Sequence, residues 1–335
     1  MKKLVCIGVL LVLWGAAAYG QEPLKVGYGT LKIGGILQAG GCYSLDTLQP
    51  VQFTFQMKRA RLLFWGEVVP AKVKYFVQTD AVGSPFLLDT KLQFFYLPYT
   101  EVAIGRFLPN FTHYMPRSTA MLDMINYPLL VARYAMWRQI GVQTTTSTDY
   151  LDFNLGIFNG YPGNSWSDDN DAKDFFSAAA IKVDFASLIG YSWLGKTPMD
   201  TIDLAKNRFG GGLILSKGLT EQMAVAVKGE GVMGQDDVTA DSTINSMGFY
   251  GHLGLKLNLG EGLPAVEILG RYDSFDPDMD VDDNAETWIT GGVNFFIDGE
   301  HAKISLNYVM KKEETPAGVE EPDNDEVLGQ VQVFF

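Results

Sequence analysis

The sequence predicts an all-β fold: a transmembrane antiparallel β-barrel of about 16 strands, with short periplasmic turns and long outer loops. Three observations predict it. Beyond residue 20 the chain is rich in apolar residues, 47% overall with 13% aromatic. No stretch there approaches the roughly 18 consecutive apolar residues of a spanning helix, so the apolar content must alternate with polar residues. Alternating segments recur along the chain, most of them long enough to cross a bilayer at a tilt. The links between them run long and short by turns, as consecutive antiparallel strands with one trimmed end require.

The elements follow in order. MKK, then LVCIGVLLVLWG, then AAAYG has the basic, apolar and small-residue layout of a secretory signal, so 1–20 reads as a leader and 21–335 as the barrel. Cys6 leaves with the leader. Cys42 remains alone, and the mature fold must be stable without a disulfide. The predicted strands are 29–40, 52–66, 71–80, 89–97, 100–107, 136–146, 149–158 and 173–184. They continue at 186–195, 207–217, 219–231, 246–259, 263–273, 286–297, 301–311 and 325–335. Long links fall at 41–51, 81–88, 108–135, 159–172, 196–206, 232–245, 274–285 and 312–324.

Within strands, a period of two separates a lipid face from a lumen face. Phe53, Phe55 and Met57 oppose Thr54, Gln56 and Lys58; Leu253, Leu255 and Leu257 oppose His252, Gly254 and Lys256; Ile304, Leu306 and Tyr308 oppose Lys303, Ser305 and Asn307. In DEVLGQVQVFF, Val327, Gly329, Val331, Val333 and Phe335 share one face, Gln330 and Gln332 the other. Phe335 is expected on the lipid side of the closing strand, paired with the first. Aromatic residues near strand ends (Phe94, Phe95, Tyr96, Trp137, Trp193 and Trp288) are expected to form interfacial girdles.

The formal charge is −13, but it is concentrated in links. Residues 159–174, 196–206, 232–245, 273–286 and 311–326 carry 23 Asp and Glu against five Lys, leaving the rest of the chain net basic. The reading is an acidic outer crown above a mildly basic lumen. Such a chain has no basic surface for nucleic acid. Candidate lumen cations are Lys72, Lys74, Lys91, Lys182, Lys228, Lys256 and Lys303; rings of such residues favour anions. Arg59 and Arg61 share the phase of Phe53 and Phe55, so a β-bulge near Lys58 is expected to re-aim them. In lipid each would cost about 2–4 kcal/mol at the midplane.

Other chemistry is thinly supported. The histidines are His113, His252 and His301, and His252 is flanked on its own face by Tyr250 and Gly254, with no serine or carboxylate to complete a hydrolytic set. Gly210, Gly211 and Gly212 precede a strand rather than a helix, which points to close packing inside the barrel and not to a phosphate loop. Asp276, Asp278, Asp280 and Asp282 alternate in DPDMDVDDN, a candidate for weak Ca²⁺ binding without the glycine and terminal Glu of an EF-hand; a solvated, self-repelling loop is the alternative. No resident cofactor is expected.

QMKRARLLFWGEVVPAKVKYFVQTD, EVAIGRFLPN and WRQIGVQT together resemble the phosphate-selective porin O/P family. The likeness lies in an arginine-containing strand, a tight turn, a Gly-x-x-x-Pro step at Gly105 to Pro109 and a returning strand with Gly-Val, and it is sharp over 53–145. The resemblance implies a sixteen-stranded, water-filled, usually trimeric barrel of the bacterial outer membrane, with lumen Arg and Lys setting an anion preference. Only Arg59, Arg61, Lys72 and Lys74 fall in the well-matched part, and the acidic loops depart from a dense basic ladder, so phosphate selectivity is not carried over. An aromatic C-terminal residue such as Phe335 also resembles the signal read by the barrel-assembly machinery. Lipid and lipopolysaccharide are the expected surroundings.

The longest link, NFTHYMPRSTAMLDMINYPLLVARYAM, is too apolar for free solvent. It is expected to fold into the lumen over 108–135, with Arg117, Asp123 and Arg133, beside His113 and Tyr114, forming a constriction; a loop packing against a neighbouring subunit is the alternative. The function implied is passive diffusion of small hydrophilic solutes with a mild anion preference. The alternative is a plugged structural or adhesion barrel whose acidic loops bind ligands.

Overall fold

The computed structural model describes residues 23–46, 50–160, 166–168, 170–199, 202–239, 241–260, 262–315 and 322–335. The expected leader at 1–20 lies outside the described residues. A short strand β1 (Leu24–Val26) forms a hairpin with β2 (Gly29–Ser44). Then follow β3 (Phe53–Val69), β4 (Val73–Asp80), β5 (Leu87–Leu97), β6 (Thr100–Phe107), β7 (Gln139–Ser147), β8 (Leu151–Phe158) and β9 (Asp174–Val183). The rest are β10 (Ala186–Met199), β11 (Ile202–Gly218), β12 (Met223–Thr239), β13 (Ser242–Leu257), β14 (Ala265–Asp276), β15 (Glu286–Asp298), β16 (Ala302–Glu313) and β17 (Glu326–Phe334).

From β2 to β17 each strand pairs antiparallel with its successor, and β17 pairs back onto β2, closing a barrel of sixteen strands. Closure leaves no open edge, which hydrocarbon would not tolerate. The seam is sealed to the last residue: Gly35 N–H donates to Phe335 O at 2.9 Å and Phe335 N–H to Gly35 O at 3.0 Å. The Phe335 ring lies outside, against Gly35, where a Cβ would meet it at 2.5 Å. The faces read from the sequence hold through this region. Val327 and Val331 are exposed on the wall while Gln330 and Gln332 are buried within.

The bulge expected near Lys58 is present. Gln38 pairs with Arg59 and Ala39 with Met57, so Lys58 is the extra residue and the phase inverts across it. Phe53, Phe55 and Met57 face outward before the bulge, and Arg59 and Arg61 face inward after it.

Two expectations fail in instructive ways. The long links predicted at 196–206 and 232–245 are largely strand: β10 runs to Met199 and β11 starts at Ile202, while β12 runs to Thr239 and β13 starts at Ser242. Above the bilayer both faces of a hairpin meet water, so polar residues no longer mark the end of the ladder. The second failure concerns the girdles. Trp193 is fully buried inside, Trp288 packs with an inner cluster, and Trp137 lines the lumen. Of the expected set Tyr96 is exposed near a strand end, and it is joined there by residues such as Tyr43, Phe53, Tyr99, Tyr150 and Phe185.

The connection from β6 to β7 holds a 3-10 turn (Thr119–Met121) and a short helix α1 (Leu129–Tyr134), and it lies inside the barrel. Phe111 meets Tyr191 and Trp193 edge-on, with ring centroids 4.8 and 6.2 Å away. Met115, Leu130, Val131 and Tyr134 complete this buried cluster. The wall makes room with small residues. A Cβ on Gly234 or Gly248 would meet the Tyr134 ring at 2.8 and 3.0 Å, and one on Gly210 would run into the Tyr191 ring. Gly210 and Gly212 thus serve inward packing, while a Cβ on Gly211 would meet the Ile189 carbonyl of the neighbouring strand at 2.8 Å.

Candidate functional site

A loop buried in a lumen carries backbone groups that need partners. The inward side chains of the wall supply them. Arg271 donates to the carbonyls of Asn126 and Tyr127, each at 3.1 Å, and Asp273 accepts from Leu129 N–H at 3.0 Å. Asn307 accepts from Ile125 N–H at 2.9 Å, Gln332 donates to Ala120 O at 3.0 Å, and Lys303 donates to Leu122 O at 3.0 Å. Glu230 accepts from His113 N–H at 2.7 Å. Lys58 Nζ donates to Ile125 O at 3.0 Å. Asp123 forms the central latch, with Lys228 Nζ 2.6 Å from its carboxylate and the Tyr114 hydroxyl donating to it.

These surroundings set the protonation of the loop. Burial by itself would raise the Asp123 carboxyl, but the Lys228 ammonium, with the Tyr114 hydrogen bond, holds it down at about 2. Burial pushes the His113 imidazole down to about 3, with Arg117 and Lys228 adding to the effect, so it is neutral.

The loop packs densely on the side of β8–β17 and touches β2 and β3 through Gln38, Lys58 and Arg61, which leaves open space beside β3–β6. A cavity of about 520 Å³ runs there, and it adjoins a second of about 640 Å³ through the shared lining residues Leu63, Phe76, Gln93 and Phe334. The cations of the first are Arg59, Arg61, Lys91, Arg117 and Arg138, with Asp89 the facing carboxylate among its lining residues. Arg138 is held by Asp89, its Nη2 at 3.0 Å, and Arg61 by Asp80 at 2.8 Å. Arg59 donates to Gln38 at 2.6 Å. Neither Arg59 nor Arg117 has a carboxylate partner within ion-pair distance among the described residues. The second cavity carries Lys32 and Lys74 against Glu67. Fixed guanidinium groups in a narrow, partly apolar passage attract anions and repel cations.

Of the residues singled out in the sequence, the structure brings Arg59, Arg61, Lys91 and Arg117 together in one cavity and puts Lys74 in the adjoining one. The others lie elsewhere. Lys72 is in the turn between β3 and β4, beside the exposed Tyr96, because the tight turn starts before the polar phase can carry it inside. Asp123 is turned to the opposite wall by Lys228. Arg133 pairs with Glu286 over the Phe275 ring. Lys303 holds the underside of the loop, and Lys256 sits 3.8 Å over the Phe296 ring. Asp276 and Asp278 accept hydrogen bonds from backbone N–H groups two residues on. Among the described residues no three acidic, His or Cys side chains converge as metal ligands.

Arg138, Tyr127 and Trp137 were missed. Trp137 has a φ of +49°, which breaks the alternation just before β7, so the phase of that strand does not extrapolate to Arg138.

A lumen narrowed by an internal loop, inside a closed sixteen-stranded barrel, defines the porin class of fold. Residues 242–335, from β13 to the last residue, match the family model for phosphate-selective porin O and P, the family that the sequence resembles. The match does not overlap the segment at 53–145 on which the resemblance was sharpest. Among solved structures, the chain is similar to an anion-selective porin from Comamonas acidovorans, with a TM-score of 0.67 at 12% identity over 92% of this chain and 100% of that one. The outer membrane channel DcaP of Acinetobacter baumannii gives 0.67 at 11% identity, covering 92% and 97%. OmpT of Vibrio cholerae gives 0.64 at 10%, covering 94% and 100%. No curated protein sequence matches the chain.

Proposed function

We propose that the protein is a bacterial outer-membrane channel for passive diffusion of small hydrophilic solutes, with a preference for anions. One observation carries the reading: the cavity beside β3–β6 is lined by Arg59, Arg61, Lys91, Arg117 and Arg138 against Asp89. The acidity of the whole chain does not describe this passage, because the 23 acidic residues of 159–174, 196–206, 232–245, 273–286 and 311–326 are absent from its lining. Diffusion down a gradient needs no reaction cycle and no cofactor.

In this reading residues 1–20 are removed on export, the barrel assembles as a homotrimer in lipid and lipopolysaccharide, and the assembly machinery reads the strand that ends at Phe335. The test is conductance in a planar bilayer. A stable open level with a reversal potential of anion sign across a salt gradient supports the channel. An inserted barrel without current would favour the plugged alternative, which the dense packing of the loop against β8–β17 keeps in view.

A further inference from the structure

We infer that the passage carries a subsite for aromatic carboxylates, a solute class narrower than small anions. The inference rests on the channel reading above and adds a specificity to it. Arg59, from the wall, and Arg117, from the loop, enter the same cavity without carboxylate partners among the described residues. Beside them stand aromatic side chains. Trp137 and Tyr127 meet edge to face with centroids 5.6 Å apart, and Phe76 and Phe107 line the same cavity.

The combination selects by chemistry. A strongly hydrated inorganic anion that enters gives up water and gains contacts with the cationic groups but nothing from the rings. An aryl carboxylate offers each side what it needs. Its carboxylate takes a forked hydrogen-bond pair from an arginine, and its flat ring stacks against Trp137 or Tyr127. Convergent polar groups beside aromatic surface are the usual form of an organic-ligand site.

The backbone adds a separate observation. Trp137 adopts φ +49°, a left-handed conformation that a bulky side chain rarely takes. Strain of this kind persists where the surrounding structure fixes it, and it clusters at binding sites. Here it turns the indole toward Tyr127 and the passage instead of continuing the alternation of β7.

The test uses the full chain in planar bilayers with chloride carrying the current and benzoate, acetate or inorganic phosphate as blockers. Benzoate should half-block at a concentration up to about tenfold below acetate, the gain that one or two ring contacts give. Phosphate should block no better than acetate. Trp137→Leu should bring the benzoate and acetate values together, whereas Arg117→Gln should raise both and preserve their ratio. If Trp137→Leu does not insert, Tyr127→Leu makes the same comparison. An open, anion-preferring channel that benzoate and acetate block equally, or that phosphate blocks best, overturns this inference alone. A barrel that never opens overturns it together with the channel reading.

Discussion

The two sides of the lumen use the same residue types for different work. On the β12–β17 side, Lys228, Arg271 and Lys303 are spent on the loop: each holds a carboxylate or main-chain carbonyls, and each is buried. On the β3–β6 side, Arg59 and Lys91 face a cavity, Arg59 without a carboxylate among the described residues and Lys91 with Glu101 at 3.6 Å. The difference lies in what stands opposite. Where the wall presents Gly234 and Gly248, the Tyr134 side chain of the loop enters and the space closes. Where it presents Arg59, Phe76 and Gln93, a cavity remains between wall and loop, bridged by Arg61, which donates to Thr119 Oγ1 at 3.2 Å. Counting lumen cations therefore says little about selectivity until each is assigned to the loop or to the passage.

The sharpest way to break this comparison is to reverse the passage charges. Replacing Arg59→Glu and Arg117→Glu together changes the passage by four charges, and the reversal potential should change sign toward cations. Reversal potentials before and after, at one salt gradient, check this. A potential that stays anionic would mean that ions take another path.

Much of the wall was legible because lipid enforces a period of two. The faces of β16 and β17 follow from that alternation, and the bulge at Lys58 follows from keeping Arg59 and Arg61 out of hydrocarbon. The site was only half legible. Arg59 and Arg61 could be placed because a strand fixes their direction relative to known outward neighbours. Arg133 and Asp123 could not, since a loop has no period and each side chain turns to whichever wall partner is nearest. Lys303 has the inward phase that the sequence assigns it, yet its role depends on which carbonyls the loop brings there. Hairpins β10–β11 and β12–β13 were cut short because polar residues above the bilayer can still form a ladder.

The second effect in size concerns the latch. Asp123→Asn leaves Lys228 buried without its counter-ion, and breaking a buried pair by removing one partner costs about 3–5 kcal/mol. Thermal unfolding in detergent should show the loss, and single channels should become noisier as the loop loosens. Acid should act in two stages. The His113 imidazole, depressed from 6.5 to about 3, resists protonation in the fold, so stability falls as pH drops below about 6.5 and this loss is complete near 3. The Asp123 carboxyl, depressed from 3.8 to about 2, contributes stability present above 3.8 and lost as pH falls through about 2. In His113→Gln the loss between 6.5 and 3 should be smaller; an unchanged profile would remove His113 from the account.

A smaller effect tests the small-residue seat. Gly234→Ala puts a methyl 2.8 Å from the Tyr134 ring and hard against Ser246 Oγ, and overpacking of this kind costs about 1–3 kcal/mol. Gly251, two strand positions on from Phe249 on the outward face, has open space where a methyl would stand, with no atom within 4 Å of it. Gly251→Ala is therefore the matched control, and its melting temperature should hold. Equal losses in both would mean that the cost comes from the strand itself and not from the loop.

The smallest effect separates Lys72 from Lys74. Both are lysines near the same turn, but Lys74 lines the lower cavity, 3.4 Å from Glu67, while Lys72 lies outside it against Tyr96. Lys74→Glu should move the reversal potential toward cations by less than the arginine pair does, since Glu67 already offsets part of its charge. Lys72→Glu should leave the potential nearly where it was, because a charge at the rim is screened within about 8 Å at physiological salt. The pair also reads the position of the passage. If Lys72→Glu moves the potential as far as Lys74→Glu, ions enter by the outer edge of the β3–β4 turn, and the lower cavity is not their route.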